Sequence, residues 1–364
     1  MADKDKPENS GDKKVAKTAS IDTNISIGET AEIGNCGDGE EKDGEIVLID
    51  PDTEGVTKCD LVIGVIQELE LNHQRIRRID NLEPLTCVER LYLRWNLIKK
   101  IENLDTLTTL KELELYDNQI TTLENLSSLV NLEILDVSFN RIREIQGLDN
   151  LLKLEKLFLC TNKITKIQNL SHLKNLTLLE LGDNKLRAID NLEGLVNLKS
   201  LFLGKNKITK INNLDSLTNL ETLSLQSNRL TKIENLGNLK KLEQLYLSEN
   251  GFKVIEGLEN LTELTTLDLA NNKITLIQNI DHLQKLEEFW MNDNLVEDWL
   301  CVNKLSANKR LVTVYLEHNP LCKDPNYRRK IMLAAPWLQQ IDATLCRGTP
   351  FQDSTAKPQL QSVA

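Results

Sequence analysis

The sequence predicts an α/β solenoid of about twelve 22-residue repeats, with a parallel sheet on its concave face, 3₁₀ and short helices on its convex face, and a helical C-terminal cap. Three observations predict it: a constant step, a fixed apolar grammar, and an asparagine at a fixed place. The stretch at 201–214, LFLGKNKITKINNL, returns every 22 residues. Its first apolar position falls at Leu69, Leu91, Leu113, Leu135, Leu157, Leu179, Leu201, Leu223, Leu245, Leu267 and Phe289, and then, after a step of 25, at Val314. A strict repeat over so many copies means that each unit buries its apolar face only against its neighbours.

The letters of each copy have separate jobs. In the LxLxxN segment the two leucines point one way and the residue between them the other, as in a strand. The leucines therefore face the core and the intervening residue faces the concave side. The asparagine follows at 96, 118, 140, 162, 184, 206, 228, 250, 272, 294 and 319, with Gln74 in the first copy. An amide both donates and accepts, so it can satisfy the backbone where the chain leaves the strand. The apolar residues then advance by three, as in Ile164, Ile167, Leu170, Leu173 and Leu176, which suits 3₁₀ turns better than α-helix. At Asn81, Asn103, Asn125, Gly147, Asn169, Asn191, Asn213, Asn235, Gly257 and Asn279 only Asn and Gly occur, so a left-handed backbone is expected there. This is the grammar of the leucine-rich repeat.

The array has polar ends. Residues 1–60 read as a disordered acidic tail and lead-in, with sixteen acidic against seven basic side chains. Within it 45–50, EIVLID, is an apolar patch that either docks on the first repeat or stays a sticky linear segment. Residues 61–318 form the solenoid, opening on a cap at 61–68, and 319–346 form the C-terminal cap, with a helix at 327–333 ended by Pro336. Residues 347–364 read as a flexible tail. No apolar run is long enough for a transmembrane helix, and the N-terminus has no secretory h-region. Seven scattered cysteines without a CxxC pair argue against structural zinc or a disulfide framework and for a reducing compartment. No HExxH, phosphate loop or GxSxG occurs, and a shallow arc offers no water-excluding pocket. The expectation is a non-enzyme without cofactor or metal.

Function is expected on the concave row, Glu70, Tyr92, Glu114, Asp136, Phe158, Glu180, Phe202, Ser224, Tyr246, Asp268, Trp290 and Tyr315. Six of the twelve are aromatic, in a chain with 15 aromatic residues in all, and five of the others are acidic. Rings interleaved with carboxylates suit a protein partner with a basic patch. The acidic row disfavours nucleic acid. Strand spacing gives an inner row of roughly 50–55 Å, enough for a globular domain.

The strings FLGKNKITKI, LQSNRLTKIENL and EFWMNDNL, and the end piece YLEHNPLCKDPNYRRKIMLAAPWLQQIDAT, closely resemble the leucine-rich-repeat regulatory subunits of the type 1 Ser/Thr protein phosphatase. That resemblance implies binding of the phosphatase catalytic subunit on the concave face, with roles in its maturation, localisation and control in mitosis. It also implies a location in nucleus and cytoplasm, and a small disordered phosphatase inhibitor as a third member. The family's contact positions match here at Asp136, Phe158, Glu180, Phe202, Asp268, Glu288, Trp290 and Tyr315, to which the concave row adds Tyr246. Many phosphatase regulators dock through a basic–Val-x-Phe peptide. The nearest match, Val137-Ser138-Phe139, lies inside a repeat, so recognition by the face is expected instead. An adaptor for another protein partner is the alternative reading.

Overall fold

The computed structural model describes residues 18–20 and 66–346. The expectations for 45–50, for 61–65 and for the C-terminal tail lie outside the described residues. The chain divides into two units, Met1–Leu186 with Asp190–Leu198, and Arg187–Ile189 with Lys199–Ala364.

In the first unit one short strand per repeat follows another: β1 (Thr18–Ser20), β2 (Glu68–Glu70), β3 (Arg90–Tyr92), β4 (Glu112–Glu114), β5 (Ile134–Asp136), β6 (Lys156–Phe158) and β7 (Leu178–Glu180). All pair in parallel and in register, so that Leu69, Leu91, Leu113, Leu135, Leu157 and Leu179 form one row. β1 corrects the expectation of an acidic tail without structure. Its three residues pair in parallel with β2, on the edge that the first repeat would otherwise leave open.

The second unit repeats the pattern with β8 (Ser200–Phe202), β9 (Thr222–Ser224), β10 (Gln244–Tyr246), β11 (Thr266–Asp268), β12 (Glu288–Trp290) and β13 (Thr313–Tyr315). β14 (Gln340–Ile341) continues in parallel, and β15 (Thr344–Leu345) turns back antiparallel.

Both strand leucines of each repeat, and the apolar residues of the convex run, are buried. Each such side chain contributes roughly 1.5–3 kcal/mol by leaving water. The convex run is not helical. It is a series of three-residue steps, Leu85 N–H to Leu82 carbonyl at 3.0 Å and Val88 N–H to Leu85 carbonyl at 3.2 Å, and the same in later copies. Apolar residues spaced by three bring each step back to the core, which a 3.6-residue turn would not do.

The asparagines form the expected ladder. The Asn118 Oδ1 accepts the Ile98 N–H at 3.0 Å, and its Nδ2 donates to the carbonyls of Leu93 at 2.9 Å and Leu115 at 3.1 Å. Asn140, Asn162, Asn184, Asn272 and Asn294 repeat this pattern one turn further on. One amide thus satisfies groups of its own repeat and of the one before. The ten Asn and Gly positions all have positive φ, from 57° to 70°. Their asparagines do more than tolerate it: Asn213 Nδ2 donates to the Ile189 carbonyl at 2.8 Å, and Asn103 to that of Ile79 at 2.7 Å. At Gly257 a Cβ would come within 2.4 Å of the Ile233 oxygen, so here it is space, and not φ alone, that calls for glycine.

The C-terminal cap contains α1 (Trp299–Val302), 3₁₀ turns at Asn303–Ala307 and Pro320–Lys323, and α2 (Tyr327–Ala334). In earlier repeats the second strand leucine donates its N–H to the next strand, as Leu93 does to the Glu114 carbonyl at 2.8 Å. At the last repeat the Asp342 carboxylate replaces that carbonyl. Its Oδ1 accepts the N–H groups of Leu316 at 2.8 Å and Glu317 at 3.0 Å, and its Oδ2 accepts the Tyr327 hydroxyl at 2.9 Å.

Candidate functional site

The residues expected to bind a partner all lie on the strands. In the first unit Asp136 (β5), Phe158 (β6) and Glu180 (β7) are register neighbours. Phe158 is half-buried, with a carboxylate on either side. Asp136 Oδ1 accepts the Ser138 N–H at 2.8 Å. Burial pushes both carboxyls up; Glu180 is pushed further by the Asp136 charge, and Asp136 by Glu114, while the Ser138 bonds pull Asp136 back.

In the second unit Phe202 (β8) is followed in register by Ser224, which separates it from Tyr246 (β10). The remaining positions form one cluster. Tyr246, Asp268, Trp290 and Tyr315 lie side by side on β10 to β13. The two larger rings reach over the aspartate between them. The Tyr246 and Trp290 centroids are 6.3 Å apart at 60°, and those of Trp290 and Tyr315 are 6.2 Å apart at 76°. These separations fall in the range where tilted ring pairs are favourable. The Tyr315 hydroxyl accepts from Gln340 Nε2 at 2.8 Å.

The rings are therefore half-buried against each other. Asp268 beneath them keeps only 6% of its surface, and its Oδ1 accepts the Ala270 N–H at 2.9 Å. Glu288, at the start of β12, is half-buried. Burial raises the Asp268 and Glu288 carboxyls, with Glu249 and Glu287 respectively adding to it. The Trp290 indole Nε1 is buried without a hydrogen-bond partner. A face of this kind offers flat apolar area with negative charge set just below it and beside it, which suits a partner bringing cations.

Two features of the same face are missing from the sequence reading. Glu114 is buried and paired with Arg94 across the sheet, while the Arg94 guanidinium lies 5.5 Å from the Tyr92 ring. Burial and the carboxylates of Glu112, Glu68 and Glu114 push the Tyr92 hydroxyl up to about 12. Second, the residue just before each ladder asparagine also has a left-handed backbone, from Trp95 (φ 55°) to His318 (φ 61°), as does His73 (φ 59°) before Gln74. No single residue type marks this row, so only its place beside the asparagine could have given it away.

A family model described as Leucine Rich repeats (2 copies) matches residues 108–150, 131–172, 174–216 and 196–238, and one described as Leucine-rich repeat matches 223–356. Protein phosphatase 1 regulatory subunit 7 of Homo sapiens is 57% identical over 53 residues, which is 15% of each chain. Its Xenopus tropicalis counterpart is 60% identical over 53 residues, again 15% of each chain. Protein phosphatase 1 regulatory subunit SDS22 of Schizosaccharomyces pombe is 45% identical over 71 residues, covering 16% of this chain and 21% of the relative. The matched stretches thus span well under a quarter of these relatives. Among solved structures, an internalin of Listeria monocytogenes has a TM-score of 0.63 at 25% identity, covering 78% of this chain and 88% of that one. A leucine-rich-repeat protein of Leptospira interrogans has a TM-score of 0.67 at 24% identity, covering 76% of this chain and 83% of that one.

Proposed function

The chain is a leucine-rich-repeat protein, and on that premise we propose that it is a non-catalytic regulatory subunit of the type 1 Ser/Thr protein phosphatase. The surface that receives the catalytic subunit is the strand face. Phe158, Phe202, Tyr246, Trp290 and Tyr315 supply the apolar contact, and Asp136, Glu180, Asp268 and Glu288 the negative field. The observation that carries this reading is the cluster of Tyr246, Trp290 and Tyr315 over Asp268 with Glu288 beside it. Packed rings already hold their rotamers, so a partner that covers them pays little side-chain entropy. The names of the sequence relatives support a phosphatase as the partner.

The peptide-docking route is disfavoured by geometry. Val137 is buried in the core and Ser138 is buried beside it, so the Val-x-Phe string is committed to its own repeat. We further propose that the complex forms in nucleus and cytoplasm, that it bears on the maturation, localisation or activity of the phosphatase, and that a small disordered inhibitor joins it as a third member.

Calorimetric titration with the purified type 1 catalytic subunit tests the reading. Glu288→Lys is expected to weaken binding at low salt and to converge on wild type as salt screens the contact. Absence of binding by the wild-type chain, or an affinity unmoved by Glu288→Lys, Phe158→Ala and Phe202→Ala alike, would overturn it.

A further inference from the structure

Four rings outside the face just described form a second ladder on the first unit. His73 stacks on Trp95 with centroids 4.4 Å apart and planes within 8°; Trp95 meets Tyr116 edge-on at 5.6 Å, and Tyr116 meets Phe139 at 4.8 Å. They belong to four successive repeats and line the lip where the chain leaves the strands. Trp95 keeps 41% of its surface exposed.

The ladder is held at a backbone cost. His73, Trp95 and Phe139 have φ of 59°, 55° and 54°. In the Tyr116 repeat that place is Asp117, and other repeats fill it with Thr161, Asp183, Lys205, Ser227, Glu249, Asn271 and Asp293. The positive φ comes with the place in the repeat, so it is the gathering of four stacked rings on one continuous lip that calls for an explanation other than folding.

The charge beside the lip says what kind of ligand it takes. On the strands and strand ends of the first three repeats, at 68–73, 90–95 and 112–117, five carboxylates face two guanidiniums. Both guanidiniums are engaged, Arg90 with Glu68 at 3.4 Å and Arg94 with Glu114. Glu112 sits in this excess, its carboxyl pushed up by burial and by Glu114.

We propose that this lip is a docking site for an extended, cationic segment of a partner protein. Apolar or aromatic side chains of the segment lie on the His73–Trp95–Tyr116–Phe139 ladder, and its Arg or Lys side chains reach Asp117 on the lip and Glu112 on the adjoining strand. Four strands at about 4.8 Å spacing give a lip of about 14 Å, the length of roughly four extended residues. The site is independent of the phosphatase reading above, since none of its ring or carboxylate residues belongs to that contact set.

The test is selection of short random linear peptides displayed on phage against the immobilised full chain, followed by fluorescence anisotropy with the selected peptides. Enrichment of sequences pairing Arg or Lys with aromatic or apolar residues is expected. Trp95→Asn and Phe139→Asn place a residue suited to positive φ at each strained position. Both variants should melt no lower than wild type and still lose roughly thirtyfold or more in peptide affinity. Asp117→Lys should weaken binding, more strongly at low salt, and Trp290→Ala should leave it unchanged. Selection of acidic peptides, the same enrichment on the Trp95→Asn chain, or wild-type affinity in both Asn variants would overturn the proposal.

Discussion

Truncating Trp290 separates its role in binding from its role in folding. The ring packs between Tyr246 and Tyr315 at centroid distances of 6.3 and 6.2 Å, and its Nε1 is buried without a partner. Two ring pairs at about 0.5–1.5 kcal/mol each give about 1–3 kcal/mol lost in Trp290→Ala. Removing a buried unsatisfied donor returns about 1–3 kcal/mol. The two oppose each other, so urea unfolding of Trp290→Ala should differ from wild type by no more than about 2 kcal/mol from these two effects. Binding has no such compensation. Loss of a central tryptophan typically costs about 2–4 kcal/mol, roughly a thirty- to thousandfold weaker complex with the type 1 catalytic subunit. Trp290→Phe is the sharper variant, because it keeps a ring and drops the donor. It should fold at least as stably as wild type and bind less than about tenfold more weakly. Wild-type affinity in Trp290→Ala would refute the contact, and a Trp290→Phe chain clearly less stable than wild type would refute the account of Nε1 as an orphan.

Three further outcomes follow from the repeat itself. Asn118→Ala removes the acceptor for Ile98 and the donor to Leu93 and Leu115, and should cost about 1–3 kcal/mol by chemical denaturation; an unchanged midpoint would sink the ladder's role. Asn213→Gly keeps the left-handed φ of 57° but loses the bond to Ile189, for about 1 kcal/mol, while Asn213→Val adds about 1–3 kcal/mol of strain, so equal melts would contradict the assignment. Asp268 and Glu288 hold their protons to higher pH than the ordinary 3.8 and 4.5, so the folded state binds more protons than the unfolded one in that window. Their contribution to stability is therefore greatest in acid and falls as pH rises through their folded values. Asp268→Asn keeps an acceptor for Ala270 and should flatten that fall in melts recorded across the window; a slope identical to wild type would exclude Asp268 as a source. A cationic partner reverses the shift, so its affinity should rise with pH over the same range.

The sequence was most informative where position restricts chemistry. The fixed step, the leucines and the asparagine told the strands, the core and the ladder apart, because each of those places accepts few residue types. The Asn and Gly row gave away its positive φ for the same reason, although the bond from Asn213 to the preceding repeat needed coordinates. The neighbouring left-handed row stayed hidden because Trp95, Thr161, Lys205 and Glu249 share no chemistry, and the ladder geometry overrides their preference. Along the row between the strand leucines spacing gave the register of each side chain but could not give its depth. Whether Asp268 stands beside the rings or beneath them depends on how Tyr246 and Trp290 lean. The stacking of His73 on Trp95 likewise joins residues from adjacent repeats at an offset with no recurring letter.

Asp342 has a consequence for assembly. A parallel strand edge is a template for any strand of the same spacing, and the N-terminal edge of one array fits the C-terminal edge of another. Such a contact is heterologous and does not close on itself, so it propagates into filaments. By taking the Leu316 and Glu317 N–H groups into one carboxylate, and by folding β14 against β15, the chain withdraws its growing end from that reaction. Cleavage ahead of Gln339 would restore the open edge, and where β1 also lets go of β2 at the other end, the chain would become a unit for end-to-end polymerisation.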